Sequence, residues 1–244
     1  MSQLDLAMSA DVSARHVSFL ETGRAQPSRE MVLRLCATLS VPLRDQNALL
    51  AAAGHGPEFP EPGIAGLPPA IDRAIERMMA QHEPYPMTVL DRHYDVLRSN
   101  RGATRLLARF VAEPAALDGP PNVLRVLFDP RLARPFVPDW ERAAHLLVSR
   151  LHRESLARPE DTRLAGLLQS LFGYPGVPEA WRQPDFAVAS EPTLAFRLRR
   201  DDLELAFLTT LTVFDAPQNV TLDEIRIESY FPLDDRTARA CSEI

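Results

Sequence analysis

The chain has 244 residues, 45% of them hydrophobic and 25% charged, with a net charge of −6; this composition suits a folded globular protein and excludes a disordered or low-complexity chain. No apolar run reaches the length of a membrane span, and Met1-Ser2-Gln3-Leu4-Asp5 lacks the basic and apolar regions of a secretion signal. The two cysteines, Cys36 and Cys241, are too far apart for a redox or metal motif, so a reducing cytoplasm is expected, with no membrane partner. Residues 1–56 balance five arginines against five acids, so charge alone does not argue for nucleic acid.

The first 53 residues read as helices. Ser2 can cap a helix over residues 3–10, with Asp5 completing a capping box. Residues 11–13 form a turn, Ser13 caps a second helix from Ala14 to Thr22, and Gly23 ends it. A third helix follows Pro27-Ser28, where Val32, Leu35, Cys36 and Leu39 keep the spacing of a buried face. Pro42 opens a fourth, to about Ala53. Residues 54–69, GHGPEFPEPGIAGLPP, hold four Gly and five Pro and read as a linker without helix or strand. The expected division is therefore 1–55, a linker at 56–69, and a second domain at 70–244.

Two short helices joined by a three-residue turn have the dimensions of a helix-turn-helix. Val17 and Leu20 face inward; Ala14, Arg15 and Ser18 face outward, at positions that in this motif enter the major groove. The Arg15 fork suits guanine O6 and N7, and Ser18 suits a base or a phosphate. The stretch SQLDLAMSADVSARHVSFLETGRAQPSREMVLRLCATLSVP resembles the XRE (lambda-repressor-like) helix-turn-helix family over about 40 residues. The resemblance implies a phosphate contact for Gln3 and places Arg24 and Gln26 near the DNA backbone. The expected DNA-facing set is Gln3, Ser13, Ala14, Arg15, Ser18 and Arg24. Asp11 stands at a turn position where the family has glycine, which Asp tolerates by adopting a left-handed conformation. The family also carries a helix ahead of this motif, and the sequence here starts at the motif. The expectation is a DNA-binding segment lacking its first helix, with Glu21 deprived of the basic partner that helix would bring.

Downstream, Ile71, Ala74, Ile75, Met78, Met79 and His82 form one helical stripe, either core-facing or a Met-lined lid over a pocket. Residues 87–91 and 94–99 read as strands around an Arg92-His93 turn, after which Asn100 caps a helix. This order resembles the opening of a PAS-like sensor domain. Two amphipathic helices follow, at about 139–157 and 160–172. Strands at 193–199 and 203–214 flank the turn Arg200-Asp201-Asp202, and a last strand covers 224–231. In that strand Ile225, Ile227, Ser229 and Phe231 are expected to face inward, with Glu224, Arg226, Glu228 and Tyr230 outward. The fold class is thus α+β: an all-α helix-turn-helix segment, then a PAS-like domain whose antiparallel sheet of about five strands is covered by helices.

Thr209 and Ser229 stand out as polar among apolar inward residues, so each bonds nearby backbone or meets a ligand or water in a largely apolar pocket. The expected ligand-facing set is Trp140, Phe196, Phe207, Thr209, Leu211 and Ser229. The phrases EPYPMTVLDRHYDVLRSN, PDWERAAHLLVSRLHRE and VTLDEIRIESYFP resemble the MmyB-like regulators across most of residues 82–232. That resemblance implies a homodimeric transcription regulator that binds operator DNA and holds a small apolar, fatty-acid-like ligand. His145 and His152, with Glu141, lack metal-ligand spacing. Arg150, His152 and Arg153 either meet a ligand carboxylate or form a solvated face. No phosphate loop, nucleophile elbow or paired-carboxylate motif is legible, so neither a metal, nor a cofactor, nor catalysis is expected. The alternative function is a small-molecule or lipid sensor whose helix-turn-helix does not act on DNA.

Overall fold

The structure is a computed structural model that describes residues 1–187, 195–215 and 217–243. The chain opens with α1 (Gln3–Ser9), α2 (Ala14–Glu21), α3 (Arg29–Thr38) and α4 (Leu43–Ala52). Helix α5 (Pro69–His82) leads into β1 (Met87–Leu90) and β2 (Val96–Ser99). Then come α6 (Arg101–Arg109), α7 (Val123–Phe128), α8 (Trp140–Ala157) and α9 (Thr162–Leu171). The C-terminal part is β3 (Ala195–Arg200), β4 (Leu203–Thr212), α10 (Val220–Glu224), β5 (Arg226–Pro232) and α11 (Asp235–Glu243). Thr193 and Leu194, expected at the start of β3, lie outside the described residues.

The chain divides into two compact units: residues 1–67 with 214–224, and residues 68–213 with 225–244. In the first, Ser2 and Asp5 form the expected capping box and Ser13 caps α2. Asp11 takes φ 52°, the left-handed conformation the turn requires. Val32, Cys36 and Leu50 form a buried core, with Leu33, Val41 and Ala53 packed against it.

The segment read as a free linker is held to this unit. Asn47 donates to the Phe59 carbonyl at 2.7 Å and accepts the Glu58 and Phe59 amides at 2.9 and 3.0 Å. A short 3-10 turn forms at Ile64–Gly66, and Gly63 donates to the Thr221 hydroxyl at 3.2 Å. Pro and Gly bar regular structure here, but side-chain partners fix the backbone without it. Residues 214–224, which join β4 to β5, also belong to this unit. Asp223 caps α4 by accepting the Leu43 amide at 2.8 Å, a role Pro42 has no side chain to fill. Arg44 grips Glu224 with Nε at 2.6 Å and Nη2 at 3.0 Å, and also bonds Glu61.

The second unit is built on one antiparallel sheet, ordered β2-β1-β5-β4-β3. The Asn100 side chain, buried, accepts the Met87 and Ala103 amides at 2.9 Å each, so it caps α6 and starts β1 together. Gly102 lets α6 come close: a β-carbon there would lie 2.8 Å from the Tyr85 carbonyl oxygen. Phe110, Leu124, Phe128, Leu151, Leu171, Leu205 and Phe207 belong to the main core, between sheet and helices. Along the expected stripe of α5 only Ile75 is buried, while Met78 and Met79 are half-buried.

Asp161 ties the turn after β1 to α9. Its carboxylate accepts the Leu164 amide at 3.0 Å and faces Arg92 at 2.7 Å and His93 at 3.1 Å. Burial pushes its pKa up, but the Leu164 amide, His93 and Arg92 outweigh it and hold the group below 3.8. Its stabilisation is therefore complete above that value and fades as pH falls through the lowered one. Asp161→Ala is expected to cost roughly 3 kcal/mol and to flatten the acid side of the stability profile, both measured by urea unfolding across pH.

Candidate ligand cavity and DNA-reading helix

Within the second unit the sheet and helices α6, α7 and α8 enclose a mostly apolar cavity of about 470 Å³, a size suited to a small amphipathic molecule. From the helices come Leu106, Leu107, Phe110, Leu124 and Leu147. From the sheet come Leu90, Phe196, Leu198, Thr209 and Leu211.

Strand β5 contributes three polar groups to the lining, with Arg226, Glu228 and Tyr230 alternating onto the cavity face, and Thr88, Arg98, Arg150 and Thr209 add others. Arg226 and Arg150 each reach Glu154 Oε1 at 3.1 Å, and the Tyr94 hydroxyl donates to Glu154 Oε2 at 3.1 Å. Two guanidinium groups thus share the Glu154 carboxylate, with the Glu228 carboxyl on the same cavity face. Burial and the Glu154 charge push the Tyr94 phenol up to about 12, so it stays a donor at neutral pH. Burial works against the charge on Arg226, and Tyr94 and Glu154 outweigh it. Burial also raises the Glu228 carboxyl above its ordinary 4.5, although the Tyr230 hydroxyl and Arg150 pull it down. Tyr94 takes φ 66°, a left-handed conformation that costs an aromatic residue roughly 1–2 kcal/mol. Hydrogen bonds from Tyr94 to Asp91 and from Val123 to the Tyr94 carbonyl hold it there.

Of the expected ligand-facing residues, Phe196, Thr209 and Leu211 line the cavity and the other three do not. Trp140 is a core residue: its Nε1 donates to the Leu127 carbonyl at 2.8 Å, its ring meets Phe128 edge-on, and Arg134 lies 3.5 Å over it. Phe207 is fully buried, edge-on to Tyr230. Ser229 pairs with Thr210, whereas Thr209 pairs with Tyr230, so Ser229 faces away from Thr209. The inward and outward sets of β5 are accordingly reversed with respect to the cavity. β5 lies in the middle of the sheet, and its alternation separates two faces without naming the one that meets a ligand. Neither Met78 nor Met79 lines the cavity, which removes the lid reading of α5. Of Arg150, His152 and Arg153 on α8, Arg150 lines the cavity and the other two do not; His152 bonds the Trp181 carbonyl at 2.8 Å, and His145 stacks on the Trp181 ring. Sequence reasoning missed Glu154, Arg226, Glu228 and Tyr230. The signal was present as three polar side chains in strict alternation on one strand face.

In the first unit, Arg15 is exposed on α2, its guanidinium 5.1 Å over the Phe19 ring, while Ala14 and Ser18 are half-buried beside it. Ser13 uses its hydroxyl to cap α2, and Arg24 is exposed past its end. Gln3 lies exposed at the first turn of α1 and donates to Glu21. The partner of Glu21 here is this neutral amide, not the basic side chain that the resemblance implies. Gln26 donates to the Ala53 carbonyl at 3.5 Å, which occupies part of its polar edge within the unit.

The first unit thus presents a helix-turn-helix with an exposed arginine, and the second contains a mostly apolar cavity. A family model described as helix-turn-helix matches residues 1–46. A second, the MmyB-like transcription regulator ligand binding domain, matches residues 71–243, well over half the chain. The chain belongs to the MmyB-like transcription regulators. A search of curated proteins returned no match. Among solved structures, one described as the structure of an RNA-binding light-oxygen-voltage receptor aligns at 15% identity with a TM-score of 0.30. That alignment covers 99% of this chain, which spans 60% of the other's length. Among the described residues, no helix is long and apolar enough to cross a membrane.

Glu154→Gln would leave Arg150 and Arg226 facing each other with no anion between them. The expected loss is roughly 3 kcal/mol of unfolding free energy, measured by urea titration.

Proposed function

We propose that this regulator binds an amphipathic, fatty-acid-like molecule in the cavity and that occupancy changes its affinity for operator DNA. The observation that carries the reading is the pair Arg150 and Arg226 on a single carboxylate beside a mostly apolar cavity. An acyl chain matches the apolar walls, and its carboxylate matches the paired guanidinium groups. The role is binding rather than catalysis. In this reading a homodimer places two α2 helices on half-sites about one helical turn apart, and Arg15 reads a base while Gln3 and Arg24 contact backbone.

The signal has a covalent route. Strands β4 and β5 both line the cavity, and the segment that joins them carries Asp223 and Glu224, which bind the start of α4. A ligand that favours one spacing of these strands biases the connector and, through it, the helix-turn-helix.

The test is a gel shift of the full chain on its upstream DNA, with and without palmitate, alongside mass spectrometry of lipid extracted from purified protein. The expected results are a co-purified acyl compound and a palmitate-dependent change in DNA affinity. DNA affinity that ignores palmitate would overturn the proposal, and lipid binding without DNA binding would favour the sensor-only alternative. Arg15→Ala is expected to cost about 1–3 kcal/mol on the operator and to relax its sequence preference, read from competition gel shifts. Arg44→Ala is expected to keep palmitate binding but to shrink the ligand-dependent change in DNA affinity, ordinarily about 5–150-fold, to within about twofold.

A further inference from the structure

Across the β1–β5 pair, Thr88 lies directly opposite Glu228, and both side chains line the cavity. The Thr88 hydroxyl oxygen and Glu228 Oε2 are buried, and neither has a hydrogen-bond partner. Native proteins rarely leave such atoms unpaired, and here two stand on adjacent strands in one register. A plain acyl chain would leave both unsatisfied.

We propose that Thr88 and Glu228 recognise a hydroxyl carried on the apolar body of the ligand. A hydroxyl both donates and accepts, so it can donate to Glu228 Oε2 while accepting from Thr88. An ammonium would fit less well, because Arg98, Arg150 and Arg226 already line the same cavity. Burial raises the Glu228 carboxyl above its ordinary value, against the pull of Tyr230 and Arg150. Arg226 and Glu228 are two residues apart on one strand face. The hydroxyl would therefore lie roughly 7 Å along the strand from the site of the ligand carboxylate. The inference rests on the fatty-acid-like reading and refines it from a class of lipid to a hydroxylated one.

The test measures displacement of a fluorescent fatty acid from the full chain by palmitate, hexadecylamine and a series of monohydroxylated palmitates differing in hydroxyl position. The expected result is that at least one hydroxylated isomer binds about tenfold more tightly than palmitate, the size of one good hydrogen bond. Thr88→Val, which keeps the side-chain shape, and Glu228→Leu should each bring that ratio near one, whereas Glu228→Gln, which keeps an acceptor, should retain part of it. The wild-type ranking stands alone if a variant fails to fold. Palmitate binding as tightly as every isomer overturns the inference and leaves the fatty-acid-like reading in place. Tightest binding by hexadecylamine overturns it in favour of a cationic ligand. Failure of all three classes to bind overturns both.

Discussion

Strand β5 is the constraint on which the sensor unit depends. It is paired on both sides, with β1 through Ile227 opposite Val89 and with β4 through Tyr230 opposite Thr209. Those pairings leave no freedom of register: a slip of one residue would send Ile227 into the cavity and bury Arg226 and Glu228 among aliphatic groups. Because the register holds, one strand supplies a hydrophobic face to the sheet and a polar face to the cavity. Arg226 can carry its charge there because Glu154, from α8, meets it at 3.1 Å. Helix and strand therefore need each other's charges to be buried at all.

The same strand begins immediately after α10. Its upstream neighbours, Asp223 and Glu224, are bound to α4 by backbone and side chain. Burial opposes the Arg44 charge, but hydrogen bonds to Glu224 and Glu61 raise its pKa, so it remains a fixed cation across the physiological range. The residues that anchor the connector and those that line the cavity are thus only a few positions apart on one chain.

Local chemistry made much of this legible from sequence. Ser2, Ser13 and Asn100 announced helix starts by their capping oxygens, Asp11 announced a left-handed turn, and alternation announced β4 and β5. The cavity residues on β3 and β4 followed from alternation as well. What sequence did not supply is non-local. Nothing near Leu43 indicates that its cap comes from Asp223. Nothing near Trp140 indicates that its ring is covered by Phe128 and Arg134 rather than open to a ligand. Aromatic residues fill cores and pockets alike, and only the packed neighbours distinguish the two. Charged residues on β5 suggested solvent because an isolated strand offers no sign of a helix layer above it.

The cap supplied by Asp223 has a consequence for how the protein can be divided. A helix-turn-helix is commonly regarded as a portable cassette, joined to a sensor by a spacer that can be cut. Here the spacer residues are bound by Asn47 and Thr221, and the cap of α4 is encoded some 180 residues downstream of the helix it serves. A fragment ending at Leu67 would lose that cap together with the Glu224 partner of Arg44. The natural joint of the molecule therefore lies in its topology rather than at any single peptide bond. Moving the helix-turn-helix unit means moving residues 214–224 with it.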